Sequence, residues 1–301
     1  MHYLILLICL IQGTTWVAIK YSLEGFPPFM GVILRFSIAA VLLFGFLKIR
    51  GISLRIPRRS IKILAITAVL LYPVNFGLMY WAEQHINSGI TAVFFSTYPI
   101  FTGIFSVGVV RAENFSIEKL VGLLLGFSGV TITFFEQFQH AVFNTIMLLA
   151  AIAIITGASA AALSIVIVKK HLSNVQPAVL GMYQMVIGIP ILGIISILSG
   201  ESTAVVIPWE SILATIYLGA IPSALGFGVY YFLLNRLSPI TLSYVHYVNP
   251  MLALFTGWLI LNEPLTMNML YGTLIVLCGV ATTKVRIYWN AMKVGFVNLV
   301  R

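Results

Sequence analysis

Ten runs of mostly apolar residues, each about twenty long, restrict this 301-residue chain more than anything else in it. They cover approximately 2–20, 29–47, 61–81, 88–109, 118–135, 144–167, 177–198, 209–233, 240–261 and 267–283. A run of that length crosses the ~30 Å hydrocarbon layer of a bilayer as one helix. A membrane β-barrel is disfavoured, because the runs are continuously apolar and do not alternate as short strands would. A water-soluble core of this size could not hide 60% hydrophobic residues behind 8% charged ones. The expected fold class is an all-α integral membrane protein with ten transmembrane helices.

The second half repeats the first at a shift of about 150 residues. Lys20, Pro27 and Gly31 return as Lys170, Pro177 and Gly181. Gly77, Tyr80 and Pro99 return one residue further on as Gly228, Tyr231 and Pro250, and Glu113, Gly122 and Gly129 return as Glu263, Gly272 and Gly279. Each copy holds five apolar runs, and since five is odd the second copy must enter the bilayer from the opposite side. The chain therefore reads as two inverted five-helix repeats, 1–138 and 142–287, followed by a cytoplasmic amphipathic tail, 288–301. Inverted repeats are how secondary transporters build one midplane site that opens alternately to either face.

A net charge of +9 would suit nucleic acid if the basic residues formed a patch, but they follow the membrane instead. With the N-terminus cytoplasmic, the inward ends and loops collect fifteen of the seventeen, among them Lys48, Arg50, Arg55, Arg58, Arg59 and Lys62 after the second run. Only Lys20 and Arg35 lie elsewhere. The positive-inside rule then predicts both termini in the cytoplasm and no nucleic-acid partner. The first run lacks a basic lead and continues to Ile19, so a membrane helix is favoured over a cleaved signal peptide. Cys9 and Cys278 sit inside apolar runs without metal-ligand spacing, so neither a metal site nor a disulfide framework is expected.

The stretch from Gly13-Thr14-Thr15-Trp16 to Lys20, the Arg35-Phe36 pair with Ala39-Ala40, and the Pro99 to Gly129 block mirrored by Pro250 to Gly279 resemble the drug/metabolite transporter superfamily, specifically its ten-helix EamA-like family. The likeness covers all but the tail. It implies solute transport across the plasma membrane, a bacterial inner membrane, by a protein without a cofactor. The family's members move amino acids, other metabolites and toxic organic compounds, so the resemblance leaves the solute open. One departure is visible: Val166 stands where the first copy has Trp16.

Helical spacing nominates the side chains that would face a cavity between the halves. Ser243, His246, Tyr247 and Pro250 share an arc of about 100° on the ninth run. Phe227, Tyr230 and Tyr231 share a face of the eighth, and Phe95, Tyr98 and Thr102 a face of the fourth. Asn75 and Met79 on the third and Gln12 and Trp16 on the first complete the set. The expected pocket is mainly aromatic with hydroxyl and amide handles, suited to a small amphipathic molecule such as an amino acid. Pro99 and Pro250, matched across the repeats, each remove a backbone hydrogen bond and are the expected hinges, with Pro73 and Pro222 a looser second pair. Arg35 lies inside its run and must snorkel, bind an anion or pair with an acid such as Glu83.

The chain has no aspartate, and all eight glutamates fall at run ends or in loops, so no buried carboxylate is expected. His246 is then the deep side chain able to change charge near neutral pH. Transport would be coupled to protons through His246 or would be facilitated diffusion. Paired acids, a nucleophile motif and a phosphate loop are all missing from the sequence, which argues against an enzyme. A lipid flippase or a structural membrane component is the alternative to an exporter of metabolites. A monomer is expected.

Overall fold

A computed structural model describes residues 2–86, 88–110, 116–139, 144–202, 207–248, 251–252 and 266–282. Among these residues the regular structure is entirely helical. Seven helices are long and apolar enough to cross a membrane: α1 Tyr3–Gly25, α2 Pro28–Ile49, α3 Arg58–Glu83, α4 Ile90–Val109, α6 Thr145–His171, α7 Pro177–Leu198 and α8 Trp209–Arg236. Shorter apolar helices occupy three further expected runs: α5 Ile117–Thr133, α9 from Pro239–Ser243 onward, and α10 Met267–Thr282. α5, at 17 residues, spans only about 25 Å at 1.5 Å per residue. Half of the ninth expected run, Pro250 included, lies outside the described residues, as do Glu263 and the 288–301 tail.

Helix starts follow from local chemistry. Pro28 and Pro177 open α2 and α7 at positions where an N–H would have no partner anyway. The Glu201 carboxylate accepts from the N–H groups of Phe29 (2.9 Å) and Met30 (3.0 Å), setting a negative charge at the positive end of α2. Asn144 and Gln176 cap α6 and α7 by accepting from Met147 and Val179, each at 2.8 Å. At its other end α6 carries Lys169, Lys170 and His171, and the two lysines donate to the last carbonyls of α8 and α4.

Several helices are not straight. α3 widens into π-helical turns over Leu70–Gly77 around Pro73, and α8 does so over Gly219–Leu225 around Pro222. A proline cannot donate to the preceding turn, and the wider turn takes up the displaced carbonyls. α4 is interrupted at Ser96–Thr97, two residues before Pro99, and α1 at Thr14, whose hydroxyl donates to the Ile11 carbonyl at 2.9 Å. A hydroxyl returning to its own helix in this way bends it.

Packing links the two halves of the chain. α2 lies along α7, α1 along the first part of α8, and α6 along α3. Exchanging the halves maps the α1–α8 pair onto α6–α3 and α2–α7 onto itself. α5 and α10 approach backbone to backbone: a Cβ on Gly129 would lie 2.7 Å from the Gly272 carbonyl, and one on Gly279 2.9 Å from the Gly122 carbonyl. Small residues permit that approach in a membrane, where dispersion contacts replace the hydrophobic effect between helices. The largest core cluster draws on α1 to α4 and α6 to α9, while Val41, Phe44, Leu148, Ile152, Ile194 and Ile197 point outward. Such an apolar exterior suits lipid rather than water.

Candidate functional site

A cavity of about 110 Å³ opens in the middle of the bundle, and helices from both halves line it. The irregular turns of the helices set its walls. Asn75 and Phe76 come from the π segment of α3; Pro222, with Gly226 and Phe227 just beyond it, comes from that of α8. Gln12, Thr15 and Trp16 face it from the bend of α1, and Phe95 and Tyr98 flank the interruption of α4.

One wall is aromatic. The Phe95 and Tyr98 rings stack at 5.8 Å with an interplanar angle of 5°, and Trp16 meets Phe95 edge-on at 5.9 Å. The Tyr98 and Tyr230 hydroxyls share a 3.0 Å hydrogen bond. The His246 ring centre lies 4.3 Å from that of Tyr98, and its Nδ1 is 3.3 Å from the Ser243 carbonyl. The opposite wall holds the charge. Arg35 is 2% exposed, its Nε donates to Ser223 Oγ at 2.8 Å and its Nη1 to the Tyr80 hydroxyl at 3.4 Å. Its guanidinium carbon lies 5.1 Å from the centre of both the Phe36 and the Phe76 ring, two cation–π contacts that hold the head group on the cavity wall. Asn75, also 2% exposed, presents a side-chain carbonyl oxygen with no hydrogen-bond partner. A buried acceptor left unsatisfied costs about 1–3 kcal/mol, and this oxygen lies against α6, where a Cβ on Gly157 would come within 3.4 Å of it.

Of the side chains nominated from spacing, Gln12, Trp16, Asn75, Met79, Phe95, Tyr98, Phe227, Tyr230 and His246 lie on the cavity, together with Arg35. Four lie elsewhere. Thr102 donates to the Tyr98 carbonyl at 2.9 Å and Ser243 to the Ile240 carbonyl at 2.7 Å, both within their own helices. Tyr247 donates to the Leu123 carbonyl at 2.9 Å, its ring pressed on Gly126. Tyr231 donates to the Gln184 side-chain oxygen, and the Gln184 amide donates to Thr67 at 2.8 Å, joining α8, α7 and α3. The physical reason is rotation. An arc drawn on a straight helix misassigns faces once α9 breaks at Tyr244 and α8 has passed through its π turns.

Two expectations about charge are corrected. Arg35 does not pair with Glu83; its partners are Ser223 and Tyr80. Glu83 stands at the end of α3, yet both of its carboxylate oxygens are buried and without a hydrogen-bond partner, while its stem stays partly exposed. α1, α2, α4 and α6 pack on this end of α3, which the position of Glu83 in the sequence does not reveal. Spacing also missed Ala161 and Ile165 of α6, whose small apolar side chains carry no polar signal. The first copy's Trp16 faces the cavity while Val166 at the matching place is wholly buried in the core. Among the described residues no cluster of His, Cys, Asp or Glu could hold a metal ion.

A bundle of apolar helices around a partly polar cavity built by both halves is the arrangement found in membrane transport proteins. The sequence profile of the EamA-like transporter family matches residues 1–135 and 148–284, and the chain belongs to that family. It is 27% identical to the uncharacterized transporter YoaV of Bacillus subtilis over 280 residues, covering 92% of this chain and 94% of that one. It is 30% identical to the uncharacterized inner membrane transporter YedA of Escherichia coli over 251 residues, 82% and 78% of the two chains. A crystal structure of 17% identity superposes with a TM-score of 0.79 over 93% of this chain and 95% of that one, a likeness of fold alone. The protein is an integral plasma-membrane transporter.

Proposed function

We propose that this transporter exports small amphipathic zwitterions, amino acids first among them, by alternating access, and that it does so as a monomer. The observation that carries the solute class is Arg35, a buried cation on the cavity wall bonded to two neutral hydroxyls, with Asn75 among the other lining residues. A carboxylate can take the guanidinium through charge-assisted hydrogen bonds, an ammonium can donate to Asn75, and the rings of Phe95, Tyr98 and Tyr230 accept an apolar side chain. The small volume favours metabolites over bulky drugs, whose pockets run from about 300 to 1,000 Å³.

Alternating access by two inverted five-helix repeats, 1–138 and 142–287, draws support from three sides. The helix pairs exchange when the halves are swapped. The π segments around Pro73 and Pro222 recur at the same place in each half. The family profile matches one stretch in each half. The basic residues on one side support cytoplasmic termini. Counterflow in proteoliposomes, with internal unlabelled and external radiolabelled amino acids, tests the proposal. Exchange of neutral amino acids that Arg35→Gln abolishes is expected; exchange of organic cations with no response to amino acids would refute the solute class.

A further inference from the structure

We propose that Glu83 is the proton-binding residue of the transport cycle, and that the proton decides whether Arg35 faces the cavity or turns to Glu83. This rests on the transport reading above. Two buried oxygens without a donor are a poor place for a carboxylate, since removing an ion from water without compensation costs several kcal/mol. The arrangement instead fits a neutral carboxyl group. Arg35, the nearest buried cation, is at the same time bonded to Ser223 and Tyr80 and packed beside two rings.

The surroundings of Glu83 are sparse in other groups that titrate. α2 contributes Arg35, and α1 brings Lys20 within electrostatic reach, with Glu24 one turn beyond it. On its own helix the neighbours are Tyr80 and, in the turn that follows, His85, whose ring lies 5.0 Å from that of Trp81. The helical turns of Ser88–Phe95 that lead into α4, and those of α6 from Thr145 to Ala162, pack on this end and carry no ionisable side chain. Loss of the proton to water would therefore leave a carboxylate whose best partner is Arg35. Drawing Arg35 away would break its bond to Ser223 on α8, a contact between the two halves, and remove the anion-binding group from the cavity. Protonated Glu83 and a solute carboxylate on Arg35 thus favour each other and cross together, so export runs outward on the solute's own gradient and carries a proton with it, while an inward proton gradient drives uptake.

Infrared difference spectra of proteoliposomes through a pH step test the proton site without any solute. The parent should show the carbonyl band of a neutral carboxyl group that disappears on raising pH; Glu83→Gln should lack it, and Glu83→Asp should move it. Uptake of radiolabelled leucine, threonine and phenylalanine tests the coupling. An imposed pH gradient should drive accumulation in the parent, and in Glu83→Gln the accumulation ratio should collapse to unity while downhill exchange persists. A spectrum identical in parent and Glu83→Gln, or accumulation that survives the substitution, overturns the inference. If the parent exchanges none of the three amino acids, the proposed solute class fails, and the Glu83-dependent band still decides the proton site.

Discussion

Arg35 is the residue on which most of the site's chemistry turns, because it is a buried cation held by two neutral hydroxyls and no acid. Arg35→Lys keeps the charge but loses the planar fork that grips a carboxylate. Solute affinity in equilibrium binding should fall by about 2 kcal/mol, roughly thirtyfold, the range of one hydrogen bond to a charged group. An affinity equal to the parent's would place the solute anion elsewhere. Tyr231 and Tyr230 make the opposite kind of pair: adjacent in sequence, one ties α8 to Gln184 and the other reaches the cavity. Tyr231→Phe leaves Gln184 without a donor and should lower thermal stability by the equivalent of about 1–3 kcal/mol with solute affinity retained, whereas Tyr230→Ala should weaken binding. Equal effects of the two on binding would show that Tyr231 belongs to the site after all.

The π segments of α3 and α8 carry matched prolines and present cavity residues, so they are the elements most able to bend during a cycle. Pro73→Ala and Pro222→Ala restore a backbone donor and favour a straighter helix. Each should bias the inward–outward equilibrium by about 1–2 kcal/mol, a five- to thirtyfold change in population. Transport rate should drop by a comparable factor while the yield of folded protein changes little. Unaltered rates in both would assign these prolines to packing. Prolines in the sequence mark bends, and Pro99 and Pro250 keep the repeat offset of Gly77/Gly228 and Tyr80/Tyr231, which Pro73 and Pro222 do not. What a proline does to its helix depends on whether neighbouring helices can satisfy the freed carbonyls, and that is a property of the packed bundle.

At the scale of the whole molecule, orientation is the testable quantity. Single cysteines placed in the 51–60 loop should react with an impermeant maleimide only in inside-out vesicles, and cysteines at 200–202 only in right-side-out ones. Labelling of the arginine-rich loop from outside would overturn the cytoplasmic assignment. Apolar run length, the repeat and the one-sided charge were legible because each is a local sum: about twenty apolar residues cross a bilayer whatever surrounds them. These determined the membrane setting and the helix positions, and the family came from its resemblance in the Gly13–Lys20, Arg35-Phe36 and Pro99–Gly129 stretches. The tertiary structure decided which faces meet the cavity, that Arg35 binds Ser223 and Tyr80, and that the oxygens of Glu83 are buried without a partner. Those facts depend on rotations at breaks and π turns, and on neighbours about 50 to 190 residues away, and no periodicity within one helix contains them.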